Sequence, residues 1–343
     1  MGIHVRNMST STLKRATGVT LIELMVALAI GSFLMIGAMT VFMQSRTTFR
    51  VNESVSRLQE NGRFVLDAME PNIRMASYFG LTSRANKIAN RATPLQPVPA
   101  GLAVAGDCGQ NWSINLAAEL GGTNNGFGWV CAPFGVGAQP LADTLVIRRV
   151  SEDPLLLLQN GVIYLQSARF QDSLLFTGMV VPPGYLPATS ATYTLFVDGY
   201  YVSQNSSLDT PGNPVPSLRM KTLVGGALGP RIVDQEVLPG VEDLQIQFGV
   251  DTDIIGAPTR GSVNRYLNPG DPIITPGAAG FLPDAQILSV RLWIRLRAER
   301  PENGFTDTTN YVYADQNVPP FNDQFRRIVV TKTIYLRNAR SAA

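Results

Sequence analysis

Histidine is the residue whose scarcity most limits the chemistry open to this sequence. The only histidine, His4, lies in the first eighteen residues, so a form of the chain without that stretch has no imidazole. Such a form cannot build a Ser/His/Asp triad, a Cys/His pair, a His-ligated zinc site or a histidine general base. A GxxxxGK[ST] phosphate-binding loop is also missing. We therefore expect no catalytic residue, no cofactor, no metal and no enzymatic activity.

Glu23 is the only ionisable side chain between Val19 and Met43, in an otherwise apolar stretch. A helix of that length spans roughly 37 Å, which exceeds the ~30 Å hydrocarbon core of a membrane. Arg6, Lys14 and Arg15 precede the stretch without any acidic residue. The positive-inside rule then predicts a cytoplasmic N-terminus and a periplasmic position for everything that follows.

A carboxylate near the end of an apolar span costs several kcal/mol unless it is paired or neutralised. The small residues at positions 16–18 precede the helix, so cleavage there keeps the helix attached and frees an amine at Val19. Val19 lies one helical turn before Glu23, which puts this amine at nearly the same depth. The pair can compensate within one chain, or between two staggered chains whose axial register it would set. The alternative is that Glu23 snorkels to the headgroups of a plain anchor.

The segment Gly18–Ala27, with the sequence GVTLIELMVA, resembles the class III signal of type IV prepilins and type II secretion pseudopilins. The resemblance implies that a prepilin peptidase cleaves between Gly18 and Val19 and methylates the new amine of Val19. Valine stands here where the family usually has phenylalanine. The resemblance also implies that Glu23 acts in subunit assembly.

The residues after Met43 predict an amphipathic continuation of the helix over 44–79. Apolar residues recur at helical spacing, at Val51, Val55, Leu58, Val65, Met69 and Ile73. Charged residues alternate in sign on the other side, at Arg50, Glu53, Arg57, Glu60, Arg63 and Asp67. We expect the apolar stripe to pack on a globular body. Asn61-Gly62 and Pro71 are expected to bend or weaken the helix.

The remainder predicts a loop-rich β body, because 31 glycines and 23 prolines indicate many turns. The predicted strands cover 143–150, 162–166, 192–202, 218–224, 231–238, 290–297 and 327–337. Strands that follow one long helix favour an α+β fold with an antiparallel sheet. Residues 80–140 and 252–283 are predicted to be irregular.

Cys108 and Cys131 are the only cysteines. An oxidising periplasm favours a disulfide between them, and closing a loop of about 23 residues stabilises by roughly 3 kcal/mol. The alternative is a pair of buried or reactive thiols.

The acidic residues Asp251, Asp253, Asp271 and Asp284 could supply calcium ligands, but they lack EF-hand spacing and are better explained by solvated turns. A net charge of +2 without a run of one sign gives no indication of nucleic-acid binding.

Five further segments resemble the PilW family of type IV pilus minor pilins, namely residues 61–66, 73–78, 241–249, 290–297 and 326–338. Pro71, between the first two, stands where the family usually has a charged residue. The pseudopilin J of type II secretion shares the helix and the VEDL-like strand and is the close alternative. The resemblance implies a pilin-like fold and a structural minor pilin that primes a type IV pilus or joins it at the tip, in support of pilus biogenesis, twitching and adhesion. An alternative of another class is a periplasmic enzyme or binding module on an ordinary membrane anchor.

The resulting domain prediction is a leader (1–18), a transmembrane half-helix (19–43), an amphipathic half-helix (44–79) and a periplasmic body (80–343). The implied partners are the prepilin peptidase, other minor pilins, the major pilin, an inner-membrane assembly platform with an external ATPase, and a tip adhesin. The implied location is the inner membrane and then the pilus at the cell surface.

Overall fold

The computed structural model describes residues 18–82, 85–118 and 120–339. The predicted leader lies outside these residues except for Gly18. The chain divides into two compact units, Met1–Glu53 and Ser54–Ala343, and each is described by itself. Helix α1 (Leu21–Arg74) contributes to both units.

The first unit consists of the apolar half of α1. The helix is long and apolar enough to cross a membrane. Its few hydroxyl groups are satisfied locally, since Ser32 and Thr40 donate to the carbonyl oxygens of Ala29 and Ile36. A helix whose polar groups are satisfied internally is what a hydrocarbon environment requires, and Glu23 is the one ionisable side chain of this half between Val19 and Met43.

In the second unit, α1 packs on the body through the predicted stripe. Leu58, Val65, Met69 and Ile73 are buried in the main core. The predicted charged face is exposed to solvent. The amphipathic prediction is therefore confirmed for this half of the helix. The helix also continues through Asn61-Gly62 and Pro71.

The end of the helix differs from the prediction, because α1 ends at Arg74 instead of residue 79. Ser77 adopts a left-handed conformation, with a φ of 65°. Its amide donates to the carbonyl oxygen of Arg148 on a neighbouring strand, at 3.2 Å. The apolar pattern therefore continues beyond the helix because Ala76 and Phe79 are buried in the core as part of a turn.

The part of the body that the structure describes contains two short 3-10 helices, Ala85–Lys87 and Pro272–Ile274, and fourteen strands. The first seven strands are β1 (Ile88–Ala89), β2 (Leu120–Gly121), β3 (Leu145–Val150), β4 (Ile163–Ala168), β5 (Ser173–Thr177), β6 (Ser190–Ser203) and β7 (Ser217–Val224). The others are β8 (Arg231–Pro239), β9 (Val241–Asp251), β10 (Arg265–Leu267), β11 (Gln286–Arg297), β12 (Tyr311–Tyr313), β13 (Gln316–Val318) and β14 (Arg327–Tyr335).

These strands form two large sheets and one hairpin. The eight-stranded sheet has the order β1-β5-β4-β6-β3-β2, and β7 pairs with β6 and with β8. The four-stranded sheet has the order β10-β9-β11-β14, and β12 pairs with β13. All pairs are antiparallel except the two-residue pair of β1 with β5. The α+β prediction is confirmed.

Two apolar cores lie on opposite faces of the eight-stranded sheet. Tyr200 of β6 faces α1 and the four-stranded sheet, whereas Val197 faces the loops between residues 79 and 116. This alternation follows from the two-residue period of side chains along a strand. The irregular segment between residues 79 and 116 packs on the second face of this sheet, and this packing attaches it to the body.

The seven predicted strands and the VEDL-like strand of the family resemblance (β9) are all present, with ends that differ by a few residues. The prediction missed the short strands β1, β2, β10, β12 and β13, as well as β5. The short ones are two or three residues long, too short for an alternating pattern to stand out. The irregular prediction for residues 252–283 was thus wrong at β10.

Candidate functional site

The start of α1 has the geometry of a capping box. The backbone amide of Thr20 donates to the Glu23 carboxylate at 2.9 Å, and the Thr20 hydroxyl donates to the same oxygen at 2.8 Å. In return, the Glu23 amide lies 3.3 Å from the Thr20 hydroxyl oxygen. This reciprocal arrangement satisfies amide groups that have no partner within the helix.

Thr20 is a residue that the sequence interpretation missed, although the T-x-x-E spacing before an apolar run is a recognised signal for a capping box. Gly18 and Val19 precede the helix and are exposed. In the uncut chain the Val19 nitrogen is a peptide nitrogen, so Glu23 takes its hydrogen bonds from Thr20. The other leader residues, including His4, Arg6, Lys14 and Arg15, lie outside the described residues.

The apolar half of α1 presents an uninterrupted hydrophobic surface. All residues from Val19 to Met43 are exposed in the isolated chain. A surface of this size is incompatible with water and requires either lipid or other apolar helices. This part of the molecule can therefore be anchored in a membrane or packed in a bundle.

The second half of α1 is fixed to the edge strand β14. Lys332 donates to Glu70 at 2.6 Å and to Asp67 at 3.2 Å. Gly62 is buried against Val330, and a Cβ atom at position 62 would lie only 2.8 Å from Val330 Cγ1. The missing side chain of Gly62 therefore allows the helix to approach the sheet closely.

A buried ionic cluster joins the three long strands of the four-stranded sheet. Glu242 on β9 accepts two hydrogen bonds from Arg327 on β14, at 2.7 and 3.1 Å. It also accepts one from Arg295 on β11, at 3.3 Å. Because Glu242 and Arg327 are both nearly inaccessible to solvent, this pairing is sensitive to any shift of the strands.

The same cluster holds the segment that connects β11 to β14. Arg327 donates to Asp307 at 3.0 Å and to Asp323 at 2.7 Å. Tyr313 of the β12–β13 hairpin donates to Asp243 at 2.5 Å. Burial raises the pKa of the Asp243 carboxyl. In the sequence, the adjacent acids Glu242 and Asp243 lie within a strand, and arginines lie on β11 and β14, but this pattern does not indicate which of them pair.

Cys108 and Cys131 form the predicted disulfide. The carbonyl oxygen of Cys108 accepts a hydrogen bond from Val130, and Trp112 packs edge-on against Trp129 with ring centroids 5.5 Å apart. Arg148, buried on β3, donates to the carbonyl oxygen of Trp112 at 2.6 and 2.9 Å. The disulfide, the aromatic pair and this arginine together attach the irregular segment to the sheet.

The acidic residues considered as calcium ligands bond within their own loops. Asp251 accepts from the amides of Asp253 and Gly261, at 2.9 and 2.6 Å. Asp271 caps the helix Pro272–Ile274. Within residues 18–82, 85–118 and 120–339, no group of three or more His, Cys, Asp or Glu side chains is arranged to hold a metal ion.

Two family models match the chain. Residues 199–338 match the model described as Type IV Pilus-assembly protein W, and residues 13–39 match the prokaryotic N-terminal methylation motif. These two matches support a type IV pilus minor pilin of the PilW family. No curated protein and no solved structure matches it.

The PilW match runs from the second half of β6 to just beyond β14, and so includes the Glu242 cluster and the strand on which α1 packs. The predicted family resemblance is confirmed. PilW membership suggests a structural, non-catalytic protein. The methylation motif and the apolar helix suggest a membrane-anchored pilin whose partners include other pilins and a prepilin peptidase.

Proposed function

We propose that this PilW-type protein is held in the inner membrane by residues 19–43, with its body in the periplasm, until it is extracted to prime a type IV pilus or to occupy its tip. Residues 1–18 are the leader, and cleavage occurs between Gly18 and Val19. The exposed apolar helix that begins at Leu21, is capped by Thr20 and Glu23 and follows Gly18 by three residues is the observation that most supports this proposal. The disulfide fits an oxidising periplasm.

Glu23 is proposed to set the axial register of the subunit. Cleavage turns the Val19 nitrogen into an amine, which is methylated and remains cationic. When the apolar helix leaves lipid and packs against other helices, the carboxylate of one chain and the amine of a neighbour compensate one another in a nonpolar surrounding. An unpaired charge there is costly, so subunits at the wrong height are rejected.

Cleavage is tested by mass spectrometry of the N-terminus of the membrane-extracted protein. We expect a chain that begins at a methylated Val19 in cells with active prepilin peptidase, and a full-length chain in cells without it. Retention of residues 1–18 in cells with an active peptidase would contradict the proposal.

The role of Glu23 is tested by comparing Glu23→Val with Thr20→Val. Both variants disrupt the capping box, but only Glu23→Val removes the carboxylate. If Glu23 pairs with a neighbouring subunit, Glu23→Val is cleaved normally and is strongly depleted from the pilus fraction, whereas Thr20→Val is incorporated. Equal depletion of the two variants would show that Glu23 serves only to cap its own helix.

Deletion of the gene tests the place of the protein in the cell. We expect loss of surface fibres and of twitching, with normal release of secreted proteins. Loss of secretion with intact fibres would instead support a type II secretion role. The body, including the loops of residues 80–140 and 252–283, would contact other minor pilins, the major pilin or a tip adhesin.

A further inference from the structure

Strand β14 is a long sheet edge without a partner. It pairs with β11 through nine consecutive residues and has no other strand neighbour among the described residues. The strand contains no proline and no bulge in its pairing with β11, and its central residues are all β-branched except for Lys332. Soluble proteins usually protect such edges, because an exposed edge pairs readily with another chain.

The direction of the free backbone groups follows from the bonds at the two ends of the β11–β14 ladder. The amide of Ala298 donates to Arg326, and the amide of Leu336 donates to Leu288. Hydrogen-bonded pairs recur every second residue in an antiparallel ladder, so the even-numbered residues of β14 bond to β11. The amides and carbonyl groups of Val329, Thr331 and Thr333 therefore point away from the sheet.

The long edge strand of the other sheet, β8, is protected in three ways. Its first residues are covered by the segment at Ala105, which bonds to Pro230 and Ile232. A register irregularity interrupts its pairing with β7, and Pro239 ends it. Compared with β8, the β14 edge lacks every one of these devices. The outward backbone groups of β14 are therefore open to another strand, whereas those of β8 are protected.

We propose that the outer edge of β14 binds an extended strand from a different subunit of the same fibre, which continues the four-stranded sheet across the subunit boundary. The recognised chemistry is an extended main chain whose amides and carbonyl groups match those of Val329, Thr331 and Thr333. This inference rests on the proposed function, because it takes the partner from the pilus.

The direction of α1 argues against a second copy of this chain as the partner. Gly62 lies beside Val330, Glu70 binds Lys332, and the carbonyl oxygen of Arg74 accepts from the amide of Arg337, so helix and strand run in the same direction. Symmetric antiparallel pairing of two β14 strands uses a two-fold axis normal to the sheet. That axis would make the two Ser54–Arg74 segments antiparallel, whereas the subunits of a polar fibre all have the same orientation.

Parallel pairing of two copies is also unfavourable. It would turn one sheet over and place the two Ser54–Arg74 segments on opposite faces of the joined sheet. With helices about 10 Å from a sheet, these segments would be roughly 20 Å apart. They could not pack side by side, as helices in a fibre core must.

A photo-cross-linking experiment on the full-length chain in piliated cells tests the proposal. Tyr335, at the end of β14, is 64% exposed and is replaced by p-benzoylphenylalanine. The matched control carries the same residue in place of Val312, which is 71% exposed on the separate β12–β13 hairpin. We expect position 335, but not position 312, to cross-link to an extended segment of another pilus subunit in the pilus fraction.

Thr331→Pro removes the central outward amide of the edge, and Thr331→Ala retains it. Since the amide of Thr331 does not bond to β11, a proline is compatible with the edge position. We expect Thr331→Pro to reduce the cross-link from position 335 at least tenfold, and Thr331→Ala to leave it unchanged. An undiminished cross-link in a folded Thr331→Pro protein would overturn the proposal.

If Thr331→Pro does not fold, hydrogen exchange of the wild-type chain decides. We expect the amides of Val329, Thr331 and Thr333 to exchange at least tenfold more slowly in the pilus fraction than in detergent. Unchanged exchange of these amides in the pilus fraction would overturn the proposal. A cross-link from position 335 to a second copy of this chain or to a non-pilus protein would also overturn it. So would the absence of any cross-link when the chain is present in pili. Absence of the chain from the pilus fraction would instead refute the proposed function.

Discussion

The close contact between α1 and β14 at Gly62 predicts a specific coupling between position 62 and Val330. In Gly62→Ala, the new methyl group would lie 2.8 Å from Val330 Cγ1 and 3.7 Å from Ile328 Cδ1. Carbon atoms in contact prefer about 3.5 to 4.0 Å, so the helix or the valine must move by nearly 1 Å. Overpacking of this kind costs about 1 to 3 kcal/mol.

Alanine also has a higher helix propensity than glycine, by about 1 kcal/mol. The net expectation for Gly62→Ala is therefore between no change and a loss of about 2 kcal/mol in the free energy of unfolding. In a Val330→Ala background the obstructing methyl groups are gone, and the same substitution should be neutral or stabilising. The propensity gain is the same in both backgrounds, so the two substitutions should be coupled by the overpacking cost of about 1 to 3 kcal/mol.

The assay is urea unfolding of the full chain in a mild detergent, followed by tryptophan fluorescence, for the two single variants and the double variant. Gly37→Ala is the control, because a Cβ atom at Gly37 would meet nothing within 4 Å. We expect it to leave the unfolding of the body unchanged. Additivity of Gly62→Ala and Val330→Ala within about 0.5 kcal/mol would refute the close-packing argument.

Three other predictions concern the body. Cys131→Ser should lower the free energy of unfolding by roughly 3 kcal/mol, and reduction of the wild type should have the same effect. Reductant should not lower the stability of the variant further. A wild type whose stability does not change with reductant would contradict this prediction. Burial raises the pKa of Asp143 to about 7, so the folded protein retains a proton that the unfolded chain releases above pH ~4. Stability should therefore fall by up to about 4 kcal/mol as the pH rises from 4 to 7, and Asp143→Asn, compared by thermal melting across that range, should remove this dependence. Arg327→Met removes the cation that bonds to both buried carboxylates, Glu242 and Asp307, and should cost about 3 kcal/mol or more. Arg326→Met, at a partly exposed pair, should cost about 1 kcal/mol or less in the same denaturation assay.

Local sequence patterns were sufficient for the long helix and for the longer strands of the fold, although not for the short strands or for the end of the helix. The apolar run after Gly18, the helical stripe through Leu58 and Met69, and the alternation along β11 each reflect a period of side-chain burial that can be read within one element. The segment around the predicted cleavage site and the motifs of the family resemblance are also patterns of consecutive residues, so both could be recognised in the sequence. The T-x-x-E signal at Thr20 was equally local and was overlooked.

Contacts between distant segments could not be predicted in this way. Glu242 and Arg327 are 85 residues apart, and neither their neighbours nor their spacing indicates that they pair. Gly62 resembled a helix-weakening residue in the sequence, and only its position against Val330 shows that it allows close packing. The free edge of β14 likewise depends on which strands lie beside it.

The amino-acid sequence by itself determined that this protein has an apolar helix with one acid near its start, followed by a β body with a disulfide. Periodicity and composition are properties of consecutive residues, and they are the same whatever the rest of the chain does. Tertiary structure alone decided which charges are buried together, where the helix touches the sheet and which edge is unpaired. These features arise from strand order, which depends on the packing free energy of the whole body.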